Sequence, residues 1–95
     1  MSLHVINKTD LALWHACTSG LSAGDALLLI EDAVLAALPD YCDAVQIPAT
    51  VQVLALADDL AVRGISARIR AGIRQASWHD FVALSLQHDK VVSWN

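Results

Sequence analysis

The sequence predicts an α/β fold, in which residues 1–95 form a single small domain with a mostly parallel sheet of about five strands and helices on both faces. Short apolar segments alternate with segments of helical periodicity along the whole chain, which is typical of parallel strands joined by crossover helices. A length of 95 residues leaves room for one domain. Ala26–Ile30 is apolar throughout, as expected for a strand that is buried on both faces.

The first strand and the first helix follow from local signals. Leu3–Ile6 is a short apolar strand, and Asp10 can cap a helix that continues to about Leu21, where Gly20 favours its end. On a helical wheel, Trp14 lies at the margin of the apolar stripe of this helix. The stripe itself contains Leu13, Ala16, Cys17, Gly20 and Leu21.

The middle of the chain predicts a short helix, a loop and a third strand. Glu31 and Asp32 could serve acid–base chemistry, but Asp32 is better placed to cap a helix over Ala33–Leu38. Prolines and polar residues indicate a loop over residues 39–48. The β-prone residues of Thr50–Ala57 then indicate the third strand.

Residues 65–76 allow two interpretations. A third helix begins at Asp58 and Asp59, and Gly64 favours its end. Beyond it, isoleucines recur every fourth residue at positions 65, 69 and 73, which suits a helix. Gly72–Ala76 could equally form a fourth strand.

The last part of the chain predicts a helix followed by a strand. Ser77 and Asp80 have the spacing of a capping box at the start of a helix over Trp78–Leu86. Val91–Trp94 is the final strand. Ligands of parallel sheets bind at the carboxyl ends of the strands. These ends lead here into Asn7-Lys8, Glu31-Asp32, Ala57-Asp58 and the segment around Ser77.

The composition excludes several classes of function. The chain is 56% hydrophobic with a formal charge of -4, which excludes a disordered chain and a nucleic-acid binder driven by Lys and Arg. The longest apolar run, Ala33–Leu38, is far too short to span a membrane. The sequence does not open like a signal peptide, so we expect a cytoplasmic protein. So large an apolar share in a small domain favours a subunit interface over an ordinary Ala-rich core.

Cys17 is the residue whose chemistry could matter most. No Cys or His spacing is typical of a metal site and no glycine pattern is typical of a phosphate loop, so neither metal nor cofactor is expected. A cation such as Lys8 could activate Cys17, yet the apolar stripe favours a buried and inert thiol. Cys42 lies between Asp40 and Asp43, which should raise its pKa.

Charge is distributed unevenly along the chain. Residues 1–59 hold one basic and eight acidic side chains, whereas residues 60–95 hold five basic and two acidic ones. The basic segment, residues 60–95, could dock an acidic partner or contact RNA phosphate. A solvated or salt-bridged face is the simpler interpretation. Its arginines are Arg63, Arg68, Arg70 and Arg74.

Several stretches together resemble the TusB/DsrH family of small sulfur-relay subunits. They span the chain in a matching order and spacing. They are Leu3-His4 with Asn7-Lys8, Ala23–Val34, Val53–Leu56 with Asp59–Gly64, Asp80–Val82 and the strand that ends in Trp94.

The resemblance implies a DsrE-like fold and a heterohexamer with TusC- and TusD-like subunits. Such complexes accept persulfide sulfur from a cysteine desulfurase and its carrier protein, and pass it toward 2-thiouridine at the tRNA wobble position. The family's sulfur-carrying cysteine belongs to the TusD-type partner. The resemblance therefore implies an auxiliary subunit of a sulfurtransferase complex, and we expect no direct contact with tRNA or with a membrane.

Two alternatives stay open from the sequence. Cys17 stands seven residues before Gly24, a spacing that resembles DsrH-type chains. It implies a sulfur carrier with Cys17 as the persulfide site in sulfur oxidation. The second alternative is a non-catalytic oligomeric interaction domain, for which the apolar composition alone is the evidence.

Overall fold

Five parallel strands form one sheet in the structure, a computed structural model that describes residues 1–39 and 47–95. Their order across the sheet is β4-β3-β2-β1-β5, and every neighbouring pair is parallel. The predicted fold class is therefore confirmed. The strands are β1 (Ser2–Ile6), β2 (Ala26–Leu29), β3 (Gln52–Leu56), β4 (Ile73–Ala76) and β5 (Lys90–Trp94).

Helices connect these strands and cover both faces of the sheet. The α-helices are α1 (Leu11–Ser19), α2 (Ala57–Val62) and α3 (Trp78–Gln87), and two 3₁₀ helices span Glu31–Ala37 and Ser66–Arg68. Side chains of the strands alternate between two apolar clusters. The first cluster joins Ile6, Leu27 and Leu29 to α1, α2 and the longer 3₁₀ helix. The second joins Leu3, Val5 and Leu28 to Leu84 of α3.

Helix α1 begins where the sequence predicts, but its anchor is Trp14. The Asp10 side chain caps it by accepting from the backbone N–H of Ala12 at 3.1 Å. Trp14 and Cys17 are the buried residues of the helix, while Ala16 is exposed. The marginal position predicted for Trp14 is therefore wrong, because the indole Nε1–H can be buried once it donates to the Lys8 carbonyl at 2.7 Å.

The predicted cap at Asp32 is also wrong. The segment after β2 is a 3₁₀ helix that begins at Glu31, and no side chain caps it. Asp32 forms an ion pair with Arg63 instead, at 2.6 Å. Glu31 has a left-handed φ of 51°, and its backbone N–H donates to the Asp59 carboxylate at 2.7 Å. That long-range bond holds an unfavourable backbone conformation in place.

The structure decides between the two interpretations of residues 65–76. They form a short 3₁₀ turn and then β4, which pairs with β3. Gly72 precedes β4 with a φ of +90° that a side chain would disfavour. The capping box of α3 is confirmed, with Ser77 and Asp80 each accepting from the backbone N–H of the other. The loop predicted over 39–48, which contains Cys42, lies largely outside the described residues.

Candidate functional site

Cys17 is fully buried in the first apolar cluster, beside Ile6 and Trp14. Burial raises the pKa of its thiol to about 11, because the anionic thiolate is poorly solvated there. No charged side chain of the described residues offsets this effect, so Lys8 does not activate the thiol. Roughly one thiol in ten thousand would be ionised at neutral pH, and only the thiolate is a nucleophile.

A buried polar network joins His4 of β1 to Asp25, the residue just before β2. The Asp25 carboxylate accepts from His4 Nε2 at 3.0 Å and from the backbone N–H groups of Ser2 at 2.8 Å and Ser22 at 3.0 Å. The bond from Ser2 is the largest of several that lower the Asp25 pKa to about 2. Asp25 is therefore a carboxylate at every physiological pH.

Trp94 completes this network from the last strand. Its indole Nε1–H donates to Nδ1 of His4 at 3.0 Å, and the two rings are nearly parallel, with centroids 6.2 Å apart. Because Nδ1 accepts a hydrogen bond from the indole, Nε2 must carry the imidazole hydrogen and donate a hydrogen bond to the Asp25 carboxylate. Both ring nitrogens of His4 thus have hydrogen-bond partners. The role of the network is therefore structural.

The network borders a pocket at the amino ends of β1, β2 and β5. The pocket has a volume of about 390 Å³, and Lys90 is the lining residue with a cationic side chain. Gly20, at the end of α1, lies against the Trp94 ring, since an added Cβ there would be 3.5 Å from it. The lining residues are Met1, Ser2, His4, Gly20, Ser22, Ala23, Asp25, Lys90, Val92 and Trp94.

At the carboxyl ends of the strands, structural contacts engage the backbone of Glu31 and the carboxylate of Asp32, the two acidic candidates from the sequence. The Asp59 carboxylate binds the Glu31 backbone, and the Asp32 carboxylate binds Arg63. Ser77 is committed to the capping box. These contacts position the loops that follow β2, β3 and β4, and the Asp32 carboxylate is committed to Arg63 rather than to acid–base chemistry with Glu31.

The four arginines differ in their exposure and in their partners. Arg63 is paired with Asp32, whereas Arg68 and Arg74 are exposed and Arg70 is half-buried. Arg70 lines a pocket of about 590 Å³ at the amino ends of β3 and β4, together with Val53 and Ile73. The salt-bridged interpretation therefore holds for Arg63.

Comparison with known proteins places the chain in a family. Residues 9–91 match the family described as DsrH like protein. The chain is 40% identical to Protein TusB of Enterobacter sp. (strain 638), over 97% of its length and 99% of the relative's. It is 35% identical to Protein TusB of Escherichia coli O81 (strain ED1a), with the same shares of the two chains covered.

The chain belongs to the TusB/DsrH family. The family predicted from the sequence is thus confirmed. Solved structures agree with the fold of this TusB/DsrH chain: Tm0979 of Thermotoga maritima superposes with a TM-score of 0.69 at 24% identity, covering 92% of this chain and 93% of that one. The ychN protein of Escherichia coli gives 0.67 at 18% identity, covering 99% of each chain.

In this family member, sequence reasoning identified Cys17 but missed the network of His4, Asp25 and Trp94. A histidine in the middle of an apolar strand was the signal that could have pointed to a buried partner. Among the described residues, no group of three or more His, Cys, Asp or Glu side chains could hold a metal ion. In the same ranges, no helix has the length and apolar character needed to cross a membrane.

Proposed function

We propose that this chain is an auxiliary subunit of a cytoplasmic sulfur-relay complex that passes persulfide sulfur toward 2-thiouridine at the tRNA wobble position. The observation that carries the proposal is its similarity to TusB proteins over 97% of its length, at 35% to 40% identity. A match of this extent supports a single domain of this family over the whole chain. The family's role in sulfur relay supports the proposed pathway.

The state of Cys17 supports an auxiliary role. To accept sulfur, its thiolate would have to attack the outer sulfur of a donor persulfide, so that the donor's S–S bond breaks and the donor thiolate leaves. The thiol is fully buried, and its pKa is raised to about 11 by that burial. Both the access and the negative charge that this attack needs are therefore lacking in the folded chain.

Exposed apolar side chains support assembly with TusC- and TusD-like subunits in a heterohexamer. Trp78, Val82 and Leu86 lie one turn apart along α3 and are 55%, 58% and 81% exposed. Contiguous apolar side chains on a surface usually mark a contact with a partner. In the proposed complex, a cysteine of the TusD-like subunit carries the sulfur, and this chain completes the assembly around it.

Reconstitution of sulfur transfer tests this proposal. The complex is assembled with TusC- and TusD-like subunits, a cysteine desulfurase, its carrier protein and tRNA, and thiolated tRNA is measured. Omitting this chain should abolish thiolation, whereas Cys17→Ala should leave it largely intact. Intact mass of this chain after incubation with the desulfurase should show no added sulfur. Thiolation that proceeds equally well without this chain would contradict the proposal.

A second candidate is a sulfur carrier of the DsrH type that uses Cys17 in sulfur oxidation. The seven-residue spacing between Cys17 and Gly24 favours it, because this spacing resembles DsrH-type chains. Gly24 lies in the turn that leads from α1 to β2 and has a positive φ of 87°. This candidate requires a partner to expose the thiol. Persulfide on Cys17 within the assembled complex, lost in Cys17→Ala, would establish it in place of the auxiliary role.

A further inference from the structure

Arg70 is a half-buried cation without a counterion among the described residues. Its guanidinium makes no hydrogen bond and no ion pair with any of them. The other half-buried arginine, Arg63, donates to the Asp32 carboxylate at 2.6 Å and to the Asp59 carbonyl at 3.4 Å. Charged side chains are seldom withdrawn from water unless they are paired. The Arg70 guanidinium is therefore available to an anion.

The backbone holds Arg70 in place between two elements. Its N–H donates to the carbonyl of Ala37, at the end of the longer 3₁₀ helix, at 2.8 Å. Its own carbonyl accepts from the N–H of Ile73, at the start of β4, at 3.4 Å. The backbone N–H groups of Ala71 and Gly72, which come next in the chain, donate to no described residue. Unpaired backbone N–H groups beside a cation favour an anion further.

A pocket of about 590 Å³ adjoins Arg70 at the amino ends of β3 and β4. Arg70 is the lining residue with a charged side chain, and no Asp or Glu belongs to the lining. The volume lies within the range of small-molecule sites, which combine apolar walls with a few polar groups. The larger apolar side chains of the wall are Ile47, Val51, Val53 and Ile73.

We propose that this pocket binds an aliphatic monocarboxylate. The carboxylate accepts hydrogen bonds from the Arg70 guanidinium, whose parallel N–H donors match its two oxygens. The aliphatic chain lies against Ile47 and Ile73, which are half-buried. A single negative charge is balanced by the single cation of the lining, whereas a phosphate monoester would bring up to two charges. The site is separate from Cys17 and goes beyond the sulfur relay proposed above.

Three probes test the chemistry of the site on the full chain. Hexanoate and hexanamide have the same shape, but only hexanoate is an anion, and butanoate has a shorter chain. Saturation-transfer difference NMR on the methyl group of each probe yields its dissociation constant and tolerates self-association. Hexanoate should bind roughly tenfold more tightly than hexanamide, the effect of hydrogen bonds to a charged group. Equal binding of hexanoate and hexanamide would overturn the proposal.

The apolar wall and the single charge are tested with the same measurement. Hexanoate should bind roughly four- to fifteenfold more tightly than butanoate, because two further methylene groups leave water. Inorganic phosphate at the concentration of hexanoate should not displace it. Binding that does not depend on chain length, or displacement of hexanoate by phosphate, would show a simple anion site and contradict the proposal.

Variants connect the binding to Arg70. Arg70→Gln removes the charge and should weaken hexanoate binding to the level of hexanamide. Arg70→Lys keeps the charge without the paired donors, so it should retain part of the preference, which guards against a variant that merely fails to fold. Two controls should change nothing, Arg74→Gln on the exposed side of β4 and Lys90→Gln in the pocket beside Trp94. An undiminished preference for hexanoate in folded Arg70→Gln would contradict the assignment, as would its loss in Lys90→Gln.

Discussion

The indole of Trp94 donates a hydrogen bond to the imidazole of His4 across 90 residues of sequence. The other ring nitrogen of His4, Nε2, donates a hydrogen bond to the Asp25 carboxylate at 3.0 Å. The edge strand β5 pairs with β1 alone in the sheet, and these two side-chain bonds link it to the turn before β2. Strand β5 is therefore anchored through side chains as well as through the sheet.

Replacing Trp94 by Phe should loosen this anchor. The variant keeps an aromatic ring but removes the donor to His4, so we expect a loss of about 1 kcal/mol or more in the free energy of unfolding. Urea denaturation measures the loss, and amide hydrogen exchange should show faster opening of β5 than of β2. Trp78→Phe is the matched control, since Trp78 is 55% exposed and only stacks on Phe81. Equal stability of both variants and the parent would contradict the role of the His4 bond.

Acid should destabilise the fold partly through Asp25. The folded-state pKa of about 2 lies below the ordinary value of 3.8, so the unfolded chain takes up this proton first as the pH falls. The stabilisation, about 2 kcal/mol, is therefore complete above about pH 5 and is lost progressively between about pH 5 and about pH 1. Asp25→Asn should lower stability at pH 7 and flatten its pH dependence in this window. The measurement is urea denaturation at a series of pH values.

A matched control separates Asp25 from the other carboxylates. Asp89 also has a lowered pKa, chiefly because its side chain accepts a hydrogen bond from the amino group of Met1, but it is exposed. Asp89→Asn should change the acid dependence much less than Asp25→Asn, because solvent screens exposed pairs. If the two variants had the same effect, the buried network would not be the source of the acid sensitivity.

Cys17→Ser should cost about 1 kcal/mol or more of stability, because a hydroxyl would replace a thiol in an apolar site. The buried thiol should also react with an aromatic disulfide reagent only as fast as the fold opens locally. A Cys42→Ser background isolates the signal of Cys17, and the same reaction in denaturant gives the rate of the exposed thiol. Rapid labelling of the native chain at neutral pH would show that Cys17 is accessible after all.

The apolar stripe on α3 should make the isolated chain associate. Trp78, Val82 and Leu86 leave large apolar side chains in water, and apolar surface of this kind promotes self-association when its partner is missing. Light scattering of the chain alone should therefore report species larger than a monomer. Val82→Ser with Leu86→Ser should shift them toward the monomer, whereas Ser85→Ala on the same helix should not. A monomer at high concentration in the parent chain would contradict this prediction.

Local signals account for most of the fold that the sequence predicted correctly. The continuous apolar run of β2, the Asp10 cap and the capping box of Ser77 and Asp80 each depend on residues within one turn or one strand of each other. Such short-range preferences can be recognised without the tertiary structure. The same reasoning placed Cys17 in the core, and the structure agrees.

The predictions that were wrong involve partners outside the helix concerned. Asp32 would have been a sound cap by its position, but Arg63, 31 residues away, binds its carboxylate. Trp14 is buried because the Lys8 carbonyl accepts its N–H. The network of His4, Asp25 and Trp94 likewise unites three elements that no local pattern connects.

The placement of β5 against β1 has a consequence for synthesis of the protein on the ribosome. The first strand to emerge cannot pair with β5 until the segment up to Trp94 has been translated, since their partners run from Ser2 and Lys90 to Ile6 and Trp94. Until then one side of β1 keeps its backbone N–H and C=O groups unpaired, and open strand edges invite pairing with other chains. Pairings that close so long a loop are also the slow ones. Nascent chains should therefore depend on chaperones until the last strand has been added.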